Sequence, residues 1–377
     1  MAGDKVNILI ISPEIYPCNT GGIEIFNYYL AKTLAAQGQN VNIITCCDYD
    51  WKTENISFFK LRKRTLLLIG PTSILHILLI LKKLEKKIDI IHIPYTSNSI
   101  FIYYPILLAK KMFGIRYLIS IHGGRLLPSF IPIFPKLFFQ KADAVVAVST
   151  PIQKKYEKWT DKKIKVILPL IPFLKTKIKK NKLRSTYGFS DSDIIILSLG
   201  SIKKIKGSDI LLNTFINLGR EYIEKNHLKL LFVGDGPMRK SLEKKVKKEG
   251  FDSFVTFFGI APYEKVPELY KLTDLYIIPS LFEGTPKSLL EAMFNGLAII
   301  GSNTSGINNI IINNKNGLLF SVSDEKDLSI KLKLLIENED LRKRLSEETI
   351  NTVNEKYNYE KTIQEFITVY RDILNKT

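Results

Sequence analysis

Short, almost wholly apolar, β-branched runs recur along the chain, and they limit its fold more than any other feature. In the first half they are "VNILIIS" (6–12), "VNIITC" (41–46), "IDIIHI" (88–93), "RYLISI" (116–121), "DAVVAV" (143–148) and "KIKVIL" (163–168). A strand with one solvated face alternates apolar and polar residues. A strand buried on both faces of a parallel sheet does not need to. Helical segments lie between several runs. In 21–38, Phe26, Leu30 and Leu34 recur every four residues, and Gly38 stands where such a helix would stop.

A second series follows: "DIIILSLG" (193–200), "KLLFVG" (229–234), "FVTFFG" (254–259), "DLYIIPS" (274–280), "LAIIGS" (297–302) and "NGLLF" (316–320), with helical stretches such as 237–249 and 286–295 between them. Between the two series, "LPLIPFLKTKIKKNKLRSTYG" (168–188) has two prolines, a lysine run and no clean period. Two βαβ arrays in series predict an α/β chain of two Rossmann-like domains facing each other across a cleft, with ligands at the C-terminal ends of the strands. The expected division is 1–168, a linker at 169–188, and 189–357, and the final stretch, 322–376, reads as helices rich in Glu and Lys. The 377 residues suffice for two cores.

Lys and Arg number 55 against 37 Asp and Glu, a net charge of +18 that favours polyanions such as nucleotide phosphates or acidic lipid headgroups. A lysine-rich solvated surface explains the same excess, and no nucleic-acid module is recognisable. The three cysteines, Cys18, Cys46 and Cys47, form no disulfide framework and suit a reducing cytoplasm. "MAGDKVNILIIS" reads as a strand rather than a signal peptide, and "TLLLIGPTSILHILLIL" (65–81) is interrupted and too short to span a bilayer.

Glycines mark the strand ends. "SLGSIKKIKGSDILLNTF" places Gly200 after one strand and Gly207 before a helix, with Lys206 between. Backbone amides, a helix N-terminus and a lysine suit an anion, and an ordinary βα turn fits as well. "FVGDGPMRK" gives Gly234, Asp235 and Gly236, with Pro237 at an expected first helical position; it lacks a dinucleotide fingerprint. Gly21 and Gly22 precede the first helix and let backbone approach a ligand, or simply turn. "EGTPKSLLE" (283–291) holds Glu283 and Glu291 eight residues apart, compatible with acid–base chemistry or hydroxyl binding.

With these residues in order, the chain resembles the retaining glycosyltransferases of family 4, which have the GT-B fold. Gly21-Gly22 with Glu24 resembles the family's first glycine-rich loop. "IHGG" puts His122 where the family has a histidine, and "DAVVAVS" resembles its late N-domain strand. "LGSIKKIKG", "FVGDGP", "FFGIAPYEKVPELYKLTDLYIIPS" and "EGTPKSLLEAMFNGLAII" follow in family order. The chain departs from the pattern at Ser201, where the family has arginine, and in "NTSGINNIII", where Ser305 and Asn309 replace a glycine and a glutamate.

The resemblance implies an acceptor-binding first domain and a donor-binding second one, with a C-terminal helix at about 358–377 free to pack back on the first. It implies transfer of a sugar from a UDP-, GDP- or ADP-linked donor to a hydroxyl acceptor, with retention, in polysaccharide, lipopolysaccharide or glycolipid synthesis. His122, Lys206 and Glu283 become the expected catalytic residues. Gly21, Gly22, Ser201, Lys206, Gly234, Thr285, Pro286, Lys287, Ser288, Leu289 and Glu291 become the expected donor-binding residues. Pro286 is placed to start a helix whose amides meet the diphosphate, Glu283 to bind sugar hydroxyls, and Glu291 to reach the ribose. Neither metal nor cofactor is expected; the acids of "DYD" (48–50) and "DSD" (191–193) read as turn residues. His92 reads as structural or site-lining.

The acceptor side carries "GRLLPSFIPIFPKLFFQKAD" (124–143), which reads as packing on the sheet or as an apolar entrance. In the second case "FFKLRKRTLLLIG" (58–70) and the lysines of 82–87 would meet an anionic membrane on the cytoplasmic face. The alternatives are a GT-B-fold nucleotide-sugar epimerase, a non-catalytic nucleotide-sugar binder and a basic nucleic-acid-binding protein.

Overall fold

The structure, a computed structural model, describes residues 5–18, 21–48, 54–61, 71–95, 100–123, 133–169 and 173–375. The chain forms two compact units: residues 1–170 with 359–377, and residues 171–358.

The first unit holds a seven-stranded sheet. Its strands are β1 (Asn7–Ile11), β2 (Asn40–Thr45), β3 (Ile56–Lys60), β4 (Ile90–Tyr95), β5 (Arg116–Ile121), β6 (Ala144–Ala147) and β7 (Lys165–Val166), in the order β3-β2-β1-β4-β5-β6-β7. Every pairing is parallel. The helices are α1 (Gly22–Ala36), α2 (Pro71–Leu84), α3 (Ile100–Phe113), α4 (Ile133–Lys141), α5 (Thr150–Tyr156) and, from the far end of the sequence, α14 (Tyr359–Leu374).

Strand parity divides the core. Leu9, Ile11, Ile91, Ile93, Ile119 and Ile121 pack with residues of α2 to α5, including Leu81, Ala109 and Phe139. Ile8, Ile10, Ile90, Leu118 and Val146 face the other way, onto Phe26, Leu30 and Leu34 of α1 and onto Ile363, Phe366 and Tyr370 of α14. This is why the runs read as continuous apolar stretches. Burying one such side chain contributes about 1.5–3 kcal/mol, so α14 is integral to this core. The sequence did not reveal β3. It is an edge strand with only Ile56 well buried, and its neighbour "LRKR" blurs the apolar pattern.

The second unit holds a six-stranded parallel sheet: β8 (Ile194–Leu199), β9 (Leu228–Val233), β10 (Val255–Gly259), β11 (Leu275–Ile278), β12 (Ala298–Ser302) and β13 (Leu318–Phe320), ordered β10-β9-β8-β11-β12-β13. Its helices are α6 (Lys180–Thr186), α7 (Ser208–Asn217), α8 (Arg220–Lys225), α9 (Arg239–Glu249), α10 (Val266–Leu272), α11 (Lys287–Phe294), α12 (Glu325–Glu337) and α13 (Glu339–Lys356). The segment read as an aperiodic connection thus contains α6. Its sequence has little helical pattern, and tertiary contacts hold it: buried Arg184 donates to Leu272 and Asp191 carbonyls at 3.1 and 2.7 Å and to Asp274 at 2.5 Å. Pro237 stands two residues before α9, not at its first position.

In the second sheet the chain order reverses between β8 and β11. At such a switch point the loops leaving two adjacent strands diverge to opposite faces and leave a crevice at their C-terminal ends.

Candidate functional site

The crevice between β8 and β11 is lined by Gly200, Ser201, Lys206, Ser280, Glu283 and Ser288. From β8 the chain passes through Gly200 and Ser201 into a tight turn at Lys204–Lys206, then Gly207 and α7. From β11 it runs through Pro279 and Ser280 to Glu283 and α11. The two loops are bound together: Leu281 N–H donates to the Ile205 carbonyl at 2.9 Å. Gly207 has φ of +65°, and a Cβ there would lie 2.1 Å from the Pro279 carbonyl oxygen, so only glycine permits this approach.

Two of the expected catalytic residues meet here. Lys206 Nζ lies 2.6 Å from Glu283 Oε1, which also accepts from Ser280 Oγ at 2.7 Å. The Glu283 side chain is only 10% exposed and that of Lys206 36%, so the carboxylate is sequestered and the ammonium still meets solvent. Ser280, absent from the expected set, is held in turn by Ser302, whose hydroxyl donates to the Ser280 carbonyl at 2.5 Å. Ser201, standing where the family has arginine, lines the same crevice. Lys204 pairs with Asp209, leaving Lys206 as the lysine that reaches the crevice beside Glu283.

Pro286 is one residue earlier than expected: it is the N-cap of α11, at φ −72° and ψ 105°, and Lys287 is the first helical residue. Thr285 presents a buried hydroxyl that finds no hydrogen-bond partner among the described residues. Ser288 is fixed by Tyr276, whose hydroxyl donates to Ser288 Oγ at 2.8 Å. Leu289 is set inward; its side chain is fully buried and its N–H donates to the Pro286 carbonyl at 3.2 Å.

Glu291 lies in a separate small pocket with Phe173, Tyr263, Tyr270 and Phe294. It accepts from Tyr263 at 2.9 Å and Tyr270 at 3.1 Å. Burial pushes its carboxyl above the usual value, and the two phenols pull the other way. Both tyrosines belong to the quoted "PYEKVPELYKLTD" segment, but nothing local in it pointed at Glu291. Gly234 lines neither pocket. A Cβ there would lie 2.0 Å from the Gly200 carbonyl oxygen, so it lets the β9 loop lie on the β8 loop.

The remaining expected residues belong to the first unit. Gly21 caps α1 at an ordinary φ of −66°, and Gly22 begins the helix. His122 follows β5, its ring centroid 4.2 Å from that of Phe26 and its Nε2 3.0 Å from Ser120 Oγ. His92 is fully buried between Tyr370 and Ser120. In 124–143, Phe138 and Phe139 are fully buried and pack on the sheet, whereas 124–132 lie outside the described residues, as do 62–70 of the basic stretch. Of "DYD", only Asp48 is described, and it pairs with Lys60. Asp193 of "DSD" accepts from Ser190 N–H at 2.7 Å, a turn role. Among the described residues, no three His, Cys, Asp or Glu side chains are grouped to hold a metal ion.

Known proteins resemble this chain along most of its length. The family described as Glycosyl transferases group 1 matches residues 179–352, and Glycosyltransferase Family 4 matches residues 20–172. The chain belongs to the group 1 glycosyltransferases. This glycosyltransferase is 27% identical over 301 residues to the N-acetyl-alpha-D-glucosaminyl L-malate synthase of Bacillus anthracis, covering 77% of this chain and 76% of that one. A glycosyltransferase structure from Rickettsia africae ESF-5 superposes with a TM-score of 0.83 at 22% identity, over 99% of this chain and 100% of that one. Anabaena HepE, solved with UDP and glucose, superposes at 0.79 and 16% identity, over 97% and 100% of the two chains. These superpositions establish the shared two-domain, Rossmann-like α/β fold.

Proposed function

We propose that this glycosyltransferase moves a sugar from a nucleotide-sugar donor, UDP-, GDP- or ADP-linked, to a hydroxyl acceptor, with retention at the anomeric carbon and without a bound metal. The observation that carries the reading is the Lys206–Glu283 pair at the switch point of the second sheet. When the sugar leaves, negative charge grows on the nucleoside diphosphate. Lys206 and the first amides of α11 supply fixed positive charge to it in a partly buried site. Glu283 accepts hydrogen bonds from donor-sugar hydroxyls, and Thr285 gives its unused hydroxyl to the phosphate. Glu291 takes the ribose hydroxyls in exchange for its tyrosines. His122 hydrogen-bonds the sugar or the acceptor hydroxyl. HepE, whose structure holds UDP and glucose, supports a nucleotide-sugar donor.

The acceptor is a polysaccharide, lipopolysaccharide or glycolipid hydroxyl at the cytoplasmic face of the membrane. Leu75 and Leu79 of α2 are 58% and 56% exposed, and Lys82 and Lys83 follow in its last turn, a combination suited to anionic lipid. Among the described residues no helix is long and apolar enough to cross a bilayer.

A thermal-shift screen of UDP-, GDP- and ADP-sugars tests the donor reading, because a ligand of the folded state raises the melting temperature. A labelled donor then distinguishes transfer from epimerisation. Failure of every nucleotide sugar to stabilise the protein would overturn the proposal, and an isomerised donor formed without acceptor would replace it with the epimerase.

A further inference from the structure

Parity places His92, Ser120 and His122 on the same face of the first sheet as Ile10 and Leu118, the face covered by α1 and α14. A continuous hydrogen-bonded line results. Tyr370 Oη of α14 lies 2.6 Å from His92 Nδ1, His92 Nε2 lies 2.7 Å from Ser120 Oγ, and Ser120 Oγ lies 3.0 Å from His122 Nε2. Tyr370, His92 and Ser120 are fully buried. Burial lowers the His92 pKa to about 3 and raises that of Tyr370 well above its ordinary value, so imidazole and phenol are both neutral at working pH.

With His92 and Tyr370 neutral, three arrangements of the shared protons are possible. In the first, Tyr370 donates to His92 Nδ1, His92 Nε2–H donates to Ser120, and Ser120 donates to His122 Nε2. In the second, every donor is reversed, and the Tyr370 proton then needs another acceptor. In the third, Ser120 accepts from both histidines, and its own proton needs another acceptor. Among the described residues, His92 is the only hydrogen-bond partner of the Tyr370 hydroxyl, and the two histidines are the only partners of the Ser120 hydroxyl. An unmade bond on a fully buried O–H is costly, so the first arrangement prevails.

We infer that Tyr370, His92 and Ser120 are positioning residues that polarise this line toward His122 and fix it as the tautomer with a bare Nε2 and the proton on Nδ1. The consequence for transfer rests on the role proposed for His122 above; the tautomer itself does not.

The chain has four histidines, which keeps selective 15N-histidine spectra tractable. His76→Gln, His227→Gln and His122→Asn assign the signals, and long-range 1H–15N correlations report which nitrogen carries the proton. The expected wild-type spectrum shows His122 protonated on Nδ1 and His92 on Nε2. Ser120→Ala should release the His122 tautomer and leave His92 protonated on Nε2, its Nε2 shift moving only with the lost acceptor, whereas Tyr370→Phe should disturb both tautomers. A wild-type His122 carrying its proton on Nε2, or a His122 unmoved by Ser120→Ala, overturns the inference. Should Tyr370→Phe fail to fold, the wild-type and Ser120→Ala spectra still decide. With the donor found in the screen, Ser120→Ala should lower kcat roughly tenfold at unchanged donor KM, as expected for a lost hydrogen bond. A moved tautomer with unchanged kcat would leave the inference standing and remove His122 from the proposed chemistry.

Discussion

Replacing Lys206 with Ala separates the two tasks assigned to the ammonium. In the free protein it pairs at 2.6 Å with a carboxylate that is only 10% exposed. Its removal leaves Glu283 with the Ser280 hydroxyl, 2.7 Å away, as its neighbouring donor. A hydrogen bond to a charged group contributes about 1.5–3 kcal/mol. Because the Lys206 side chain is 36% exposed, solvent screens part of that, and a loss of about 1–2 kcal/mol is the reasonable figure. For a domain of this size it corresponds to a fall of about 2–8 °C in melting temperature. The catalytic cost should be larger. Loss of one preorganised donor to a developing anion costs about 10²–10³ in turnover. Steady-state transfer with the donor found by thermal shift measures this, and calorimetry on the same sample measures the stability loss. Lys206→Ala combined with Glu283→Gln should recover much of the stability, since the orphaned charge is gone, and recover no turnover. A Lys206→Ala enzyme within threefold of wild type would refute the charge argument, whatever its melting temperature.

Three further substitutions test other parts of the structure. Gly207→Ala forces a Cβ against the Pro279 carbonyl at a positive φ; it should cost at least ~2 kcal/mol and abolish nucleotide-induced stabilisation in the same thermal-shift assay. Arg184→Met breaks the buried contact with Asp274 far from the crevice, so denaturant titration should show a loss of about 3 kcal/mol while donor affinity is kept. Glu291 has a raised folded-state pKa, so its stabilising effect is complete below its unfolded value, about 4.3, and disappears as pH rises through the folded value. Glu291→Gln should therefore flatten the decline in melting temperature over that window and weaken nucleotide binding.

Both sheets could be read from the sequence because nearly every central strand is apolar on both faces. β3, at an edge and well buried only at Ile56, could not. The glycines between strand and helix were visible, but their reason was not: Gly207 and Gly234 accommodate Pro279 and Gly200 carbonyls, contacts between loops distant in sequence. Glu283 and Lys206 were legible through motif order. Ser280, the partner of Glu283, was not, since a serine three residues before a glutamate is commonplace. Tyr263 and Tyr270 reach Glu291 from more than twenty residues away, and Tyr370 reaches His92 across most of the chain. Such contacts follow from topology, and no local pattern announces them.

The return of α14 to the first sheet has a consequence for the order of synthesis. Domains generally fold as they emerge, the amino-terminal one first. Here the second unit, contiguous over 171–358, is finished while the first still lacks Ile363, Phe366 and Tyr370. Until those residues leave the ribosome, Ile8, Ile10 and Leu118 line a sheet face with only part of its cover, and the polar pair His92 and Ser120 in it has no phenol to complete it. The unit made first is the unit completed last, and during that interval it is the part of the nascent chain most exposed to aggregation or chaperone capture.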